Sequence, residues 1–271
     1  MAEGITNWKT FVESGRTFFD ANRGCPMFQL IETLDELYRL GYLKAPFPKF
    51  GREEDDFLHM CYLICHRALL SAATSTGSGR PEDGPAITRR ALEAAKTALA
   101  IKADAGNFQV WRAIEVRTDR WNARVEGGTP KGPVNPRYNG VAADPLYQEL
   151  KAVIGVLSDF TVHFTPEHVG QYEWEHTSRP DGTRDISFGM NEDAVAKELL
   201  MMAGQHRLIM RVFDRCLDGK FLKHPEVKQV AQRALGLYKD LLQREGFTEE
   251  ATNAGENWGE HRNYPPTCPG P

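Results

Sequence analysis

The chain has 271 residues, 41% of them hydrophobic, which is enough for one large domain or two closely packed ones. Its 33 basic and 37 acidic residues nearly cancel to a formal charge of -4, excluding a global attraction to nucleic acid or anionic membrane and leaving only local patches. The cysteines Cys25, Cys61, Cys65, Cys216 and Cys268 are too few and too scattered for a disulfide scaffold.

The start, Met1 to Trp8, lacks a basic region followed by an apolar segment, so no signal peptide is expected and a cytoplasmic placement follows. Residues 6–23 predict a short first helix. Met27 to Leu40 predict a stronger one, with Phe28, Ile31, Leu34, Leu37 and Tyr38 as its stripe and Gly41 as its stop. The link from Lys44 to Gly51 contains Pro46 and Pro48 and reads as irregular. Glu53 to about Thr76 is apolar on several faces, the pattern of a helix inside a bundle. Its Asp55, Asp56, His59, His66 and Arg67 argue against a membrane span. Cys61 and Cys65, one helical turn apart, read as buried thiols.

A glycine- and serine-rich link, 77–84, leads into an alanine-rich helix from Pro85 to Ala103, where small side chains permit close helix contacts. Asn107 to Val125 predicts a further helix with Val110, Trp111, Ile114 and Trp121. Gly127 to Pro145 is a long link dense in glycine and proline. Leu146, Leu150, Val153, Leu157 and Phe160 recur at helical spacing over 146–163, and Pro166 ends that helix near Phe164. Thr165 to Gly189 reads as irregular. Asn191 to Leu217 and Pro225 to Glu245 predict two long closing helices, and 251–271, rich in proline, predicts an extended or disordered tail. No run requires a sheet. The fold class is therefore all-α, a multi-helix bundle of about seven or eight helices with long irregular links. The domain spans 1–250; an alternative division gives halves 1–126 and 146–250.

His206 is the sharpest single candidate. It sits in the apolar stripe Val195, Leu199, Met202, His206, Ile209, Phe213, where an imidazole must find a partner or bear a desolvation cost. It is either a satisfied core histidine or a base or ligand in a polar pocket. His163, His168 and His176 with Glu167, Glu173 and Glu175 form the densest run of metal-ligand types, which otherwise reads as a polar surface loop. Glu173 and His176 match the three-residue carboxylate–imidazole step of helical di-metal sites, so His163, His168, Glu173 and His176 are the candidate ligands for Fe, Mn or Zn. Asp55, His59 and His66 share roughly one helix face. Arg89 and Glu93 are spaced for an ion pair. Arg112, Arg117, Arg120 and Arg124, with Trp111 and Trp121, could meet RNA, or form a mixed-charge face with Glu115, Asp119 and Glu126. No phosphate loop, His-Glu-x-x-His or Gly-x-Ser-x-Gly is present.

The segment Leu157-Ser-Asp-Phe-Thr-Val-His-Phe-Thr-Pro166, preceded by Tyr147 and by Arg90-Ala-Leu-Glu-Ala-Ala95, resembles an uncharacterised all-helical family. That family is related to the HEPN (higher eukaryotes and prokaryotes nucleotide-binding) superfamily and to phage-defence proteins. The resemblance covers roughly residues 53–245. In active HEPN ribonucleases an arginine, followed a few residues later by a histidine, cleaves RNA, usually across a dimer interface. His163 matches the histidine, but Ser158 holds the arginine position, and serine supplies no fixed positive charge to a phosphate.

Three functional expectations result. The first is a helical binding or interaction protein, a degenerate HEPN-like antiviral defence or toxin–antitoxin component. It would need no cofactor, self-associate as a dimer, engage an RNA or protein partner, and use a pocket of His163, His206, Ser158 and Tyr147. The second is a metal-independent ribonuclease using His163 in proton transfer, with His206 and Ser158 as further catalytic candidates. The third is a metal-dependent helical oxygenase or hydrolase centred on His163, His168, Glu173, His176 and His206.

Overall fold

Proline and aspartate set several helix starts in the computed structural model, which describes residues 8–80, 83–115, 137–162, 172–178, 184–190 and 192–244. The described elements are α1 (Trp8–Asn22), α2 (Pro26–Lys44), α3 (Glu53–Gly77), α4 (Asp83–Ala103), α5 (Gly106–Glu115), α6 (Pro145–Val162), β1 (Tyr172–Ser178), β2 (Arg184–Met190), α7 (Glu192–Cys216) and α8 (Pro225–Arg244). Pro26, Pro145 and Pro225 each open a helix, where their missing amide would have no intrahelical partner. Asp144 caps α6, its Oδ1 accepting the Leu146 and Tyr147 amides at 2.8 and 3.2 Å. The first turn of α3 carries Glu53, Glu54, Asp55 and Asp56, which complement the positive end of the helix dipole.

The fold is an all-α bundle. Helix α7 packs against α2, α3 and α4, while α8 lies on α2 and α6 on α4. The expected α7 stripe of Val195, Leu199, Met202, His206, Ile209 and Phe213 is buried throughout. Ala91, Ala95 and Ala98 line the buried side of α4, and their small size lets α3 approach until the Cys65 thiol donates to the Ala91 carbonyl at 3.2 Å. Asn107 joins three segments: its Nδ2 donates to the Ala100 and Asn139 carbonyls at 2.7 and 2.9 Å, and its Oδ1 accepts the Asn139 amide at 2.8 Å. No described helix is long and apolar enough to cross a membrane.

Three expectations need correction. Residues 172–190 are not wholly irregular, because β1 and β2 pair antiparallel from Tyr172↔Met190 to Ser178↔Arg184. The sequence between them, Arg179-Pro-Asp-Gly-Thr183, is a turn signature that could have announced the hairpin. Gly41 does not stop α2, which continues to Lys44. Its role is close approach: a Cβ there would fall 2.3 Å from the Phe221 ring and 2.6 Å from the Tyr62 hydroxyl. The stop comes instead at Ala45, held extended ahead of Pro46. Finally, α3 is not enclosed on all sides: Tyr62, Cys65 and Leu69 face the core, while Met60, Leu63, Ile64 and Leu70 face outward. The predicted continuation of α5 to Val125 and the 251–271 tail lie outside the described residues.

Helix propensity favours Gly41→Ala by about 1 kcal/mol. Overpacking against rigid rings costs about 1–3 kcal/mol, and at 2.3 Å from Phe221 the upper end applies. Gly41→Ala is therefore expected to lower stability by about 2 kcal/mol, read as a lower urea midpoint with an unchanged slope.

Candidate functional site

Five side chains on three helices form a polar chain through the middle of the bundle. The Tyr38 hydroxyl on α2 and His206 Nδ1 on α7 share a 2.8 Å hydrogen bond, with both residues 0% exposed. Tyr62 on α3 donates its hydroxyl to the Tyr38 carbonyl at 2.8 Å. His66, also on α3, stacks on the Tyr38 ring with centroids 5.0 Å apart, and its Nε2 donates to Asp35 on α2 at 2.7 Å. Burial, followed by the neighbouring His66, drives the His206 pKa down to about 3, so its imidazole is neutral. This is the geometry of a core histidine held through one nitrogen by a tyrosine, while its Nε2 is buried with no hydrogen-bond partner among the described residues.

A second buried polar group lies where α7 meets α4. Burial raises the Glu198 carboxyl to about 8, so it is protonated at neutral pH. A Cβ at Gly84 would lie 3.0 Å from Glu198 Oε1 and 2.7 Å from the Thr76 hydroxyl, so the glycine makes room for both. Among the described residues, Glu198 Oε1 and the Thr76 and Thr88 hydroxyls find no hydrogen-bond partner. Burial also raises the pKa of the Cys61, Cys65 and Cys216 thiols, which keeps them unreactive at neutral pH.

A cleft of about 320 Å³ opens between α6, α7 and α8. Leu37, Val153, Leu208, Ala231 and Leu235 make it apolar. Its polar lining includes Gln205, whose Oε1 is buried with no partner among the described residues. Among the described residues that line it, Arg207, Arg211 and Lys228 are cationic and Glu149 is acidic. Arg211 pairs with that carboxylate at 3.0 Å, and Arg207 lies over the Tyr238 ring at 4.6 Å. Arg207 and Arg211 are four residues apart, a like-charge spacing that costs stability in an isolated helix. That spacing was the sequence signal for this site.

The expected pocket of His163, His206, Ser158 and Tyr147 is only partly in view, since His163 lies outside the described residues. Neither this cleft nor the depression on α3 described below includes His206. The Ser158 hydroxyl donates to the Ile154 carbonyl of its own helix at 2.6 Å, and Tyr147 packs half-buried against the core. His59 does not join His66 and His206: its Nε2 donates to the Pro48 carbonyl at 2.8 Å, and its ring stacks on Phe50 at 4.1 Å. His168 lies outside the described residues. Glu173 and His176 are strand positions, paired with Gly189 and Ile186. The three-residue carboxylate–imidazole step of a helical di-metal site requires a helix there, and these two residues are in a strand. Among the described residues no group of three or more histidine, cysteine, aspartate or glutamate side chains is placed to hold a metal ion.

Trp111 packs on Phe57 with centroids 4.2 Å apart, and Arg112 pairs with Glu53 at 2.8 Å, while Arg117, Arg120, Trp121 and Arg124 lie outside the described residues. Arg89 pairs with Glu93 at 3.2 Å, as their spacing requires. No family model matches the chain, and no curated protein or solved structure matches it either.

The two shifted groups make opposite demands on pH. Glu198 is raised from 4.5 to about 8, so the native state binds more protons than the unfolded chain in that interval and stability falls as pH rises. His206 is lowered from 6.5 to about 3, so its contribution is complete above 6.5 and is lost as pH falls. Each slope is about 1.4 kcal/mol per pH unit. Between 4.5 and 6.5 they offset, which predicts a stability plateau there with a decline on both sides. Urea unfolding as a function of pH tests this, and Glu198→Gln is expected to abolish the alkaline decline while keeping the acid one.

Proposed function

We propose that the protein is a helical binding protein that self-associates and receives a small ligand with an apolar body and an anionic end in the α6–α7–α8 cleft. The observation that carries the ligand reading is an apolar cleft with the Arg211 guanidinium, oriented by Glu149, and the Lys228 ammonium on its described lining. Clefts of a few hundred Å³ with a small number of convergent polar groups are the usual form of small-molecule sites. The apolar side chains supply the burial that drives binding. Arg211 is already oriented by Glu149 and offers a forked donor to a carboxylate, while Arg207 and Lys228 add positive potential. Gln205 contributes a polar group that the protein itself leaves partly unsatisfied. Self-association is supported by large apolar side chains left exposed along α3.

Calorimetric titration with decanoate and with decan-1-ol tests the ligand class. Decanoate is expected to bind at least ~10-fold more tightly, the scale of one charge-assisted contact. Arg211→Ala is expected to remove most of that preference, and Ala231→Phe, which fills the cleft, to abolish binding of both. Equal affinities, or binding indifferent to Ala231→Phe in a protein with an unchanged melting temperature, would sink the reading.

A further inference from the structure

The outward face of α3 is apolar where a helix on the surface of a bundle is ordinarily polar. Met60, Leu63, Ile64 and Leu70 are 42, 46, 41 and 43% exposed, and Phe50, just before the helix, is 68% exposed. Phe50, His59, Met60, Leu63, Ile64 and Arg67 surround one shallow depression. This face lies opposite the Tyr62, Cys65 and Leu69 side that is buried in the core.

The exposed positions 53, 56, 60, 63, 67, 70 and 74 advance by alternating steps of three and four, the spacing of a coiled-coil seam. Along it run Glu53, Asp56, Met60, Leu63, Arg67, Leu70 and Thr74. The apolar pair at 60 and 63 is flanked by an acid four residues before and a base four residues after. That order is self-complementary under a two-fold axis. If two such helices run antiparallel and cross between residues 61 and 62, Met60 meets Leu63 of the second copy and Asp56 meets its Arg67, twice by symmetry. A parallel pairing in register would instead set Asp56 on Asp56 and Arg67 on Arg67, and like charges placed together at an interface cost several kcal/mol.

We infer that α3 docks on α3 of a second copy of this chain, antiparallel about a two-fold axis between residues 61 and 62, with Asp56–Arg67 pairs closing both ends of a Met60–Leu63 centre. This rests on the proposed self-association and specifies its surface. Asp56 is poised for the pairing: its Oδ1 accepts the Gly51 amide at 3.1 Å, fixing the carboxylate at the start of the helix. The same two-fold sets Leu70 against Glu53 of the second copy, so the apolar contact is confined to the Met60–Leu63 centre between the Asp56–Arg67 pairs.

Sedimentation velocity of the full chain over a micromolar concentration series provides the test, with melting curves confirming that each variant is folded. The wild-type chain is expected to be a dimer. Leu63→Glu changes an exposed side chain, so the protomer remains folded while the dimer dissociation constant rises by ~100-fold or more. Asp56→Arg and Arg67→Asp each place like charges together and are expected to weaken the dimer by ~10–100-fold. Combining them restores opposite charges in the same places and is expected to return the constant to within ~5-fold of wild type. A dimer indifferent to Leu63→Glu moves self-association to another face and overturns this inference alone. A combined variant no better than either single change overturns the antiparallel arrangement. A wild-type monomer, whether alone or bound to phosphatidylcholine vesicles, overturns both this inference and the self-association on which it rests.

Discussion

The hydrogen bond between Tyr38 and His206 is the constraint from which the α6–α7–α8 cleft and the outward face of α3 take their positions. It joins α2 to α7 inside a region with no access to water, where leaving either group without its partner costs about 1–3 kcal/mol. The Tyr62 hydroxyl on the Tyr38 carbonyl and the His66–Asp35 contact join α3 to the same point on α2. Three helices are thereby fixed in rotation as well as position. With His206 turned inward, its neighbours Gln205 and Arg207 and the following Arg211 fall on the cleft. With Tyr62 and His66 turned toward α2, the Met60–Leu63–Arg67 edge of α3 must face out.

Among the described residues, His59, His66 and His206 act as structural groups, and the proposed binding chemistry lies elsewhere. A neutral imidazole enclosed against a tyrosine tolerates burial because its desolvation is partly offset by a hydrogen bond. Glu198 shows the opposite case, a carboxyl that tolerates burial by keeping its proton. Burial costs least for Glu198 below about pH 4.5 and for His206 above about 6.5, and between those values the two opposing costs offset. The surfaces carry the unspent polarity: cations around an apolar cleft, and an acid and a base bracketing an apolar seam.

Much of the architecture was legible in the order of residues. The α7 stripe, the buried thiols, the alanine side of α4, the start of α3 and the Arg89–Glu93 pair all follow from helical period and local chemistry. The role of Gly41 is not legible locally because the ring that needs the space, Phe221, is far away in the sequence. The β1–β2 hairpin is legible after the fact: Tyr172 and Trp174, and Ile186, Phe188 and Met190, recur at the two-residue period of a strand, but over runs too short to stand out from a region otherwise rich in polar residues, glycine and proline. The exposed face of α3 is not legible in its apolar run, because composition reports how many greasy side chains a helix has, not which of them find a neighbour.

What the sequence alone determined was the class of fold, most helix boundaries and the burial of His206, because these depend on spacing within one helix and on proline, glycine and aspartate at its ends. The partner of that imidazole, the cleft that excludes it and the outward turn of α3 were decided only in three dimensions. Each depends on how one helix is rotated against another. That rotation is set by contacts between residues such as Tyr38 and His206, which stand far apart along the chain.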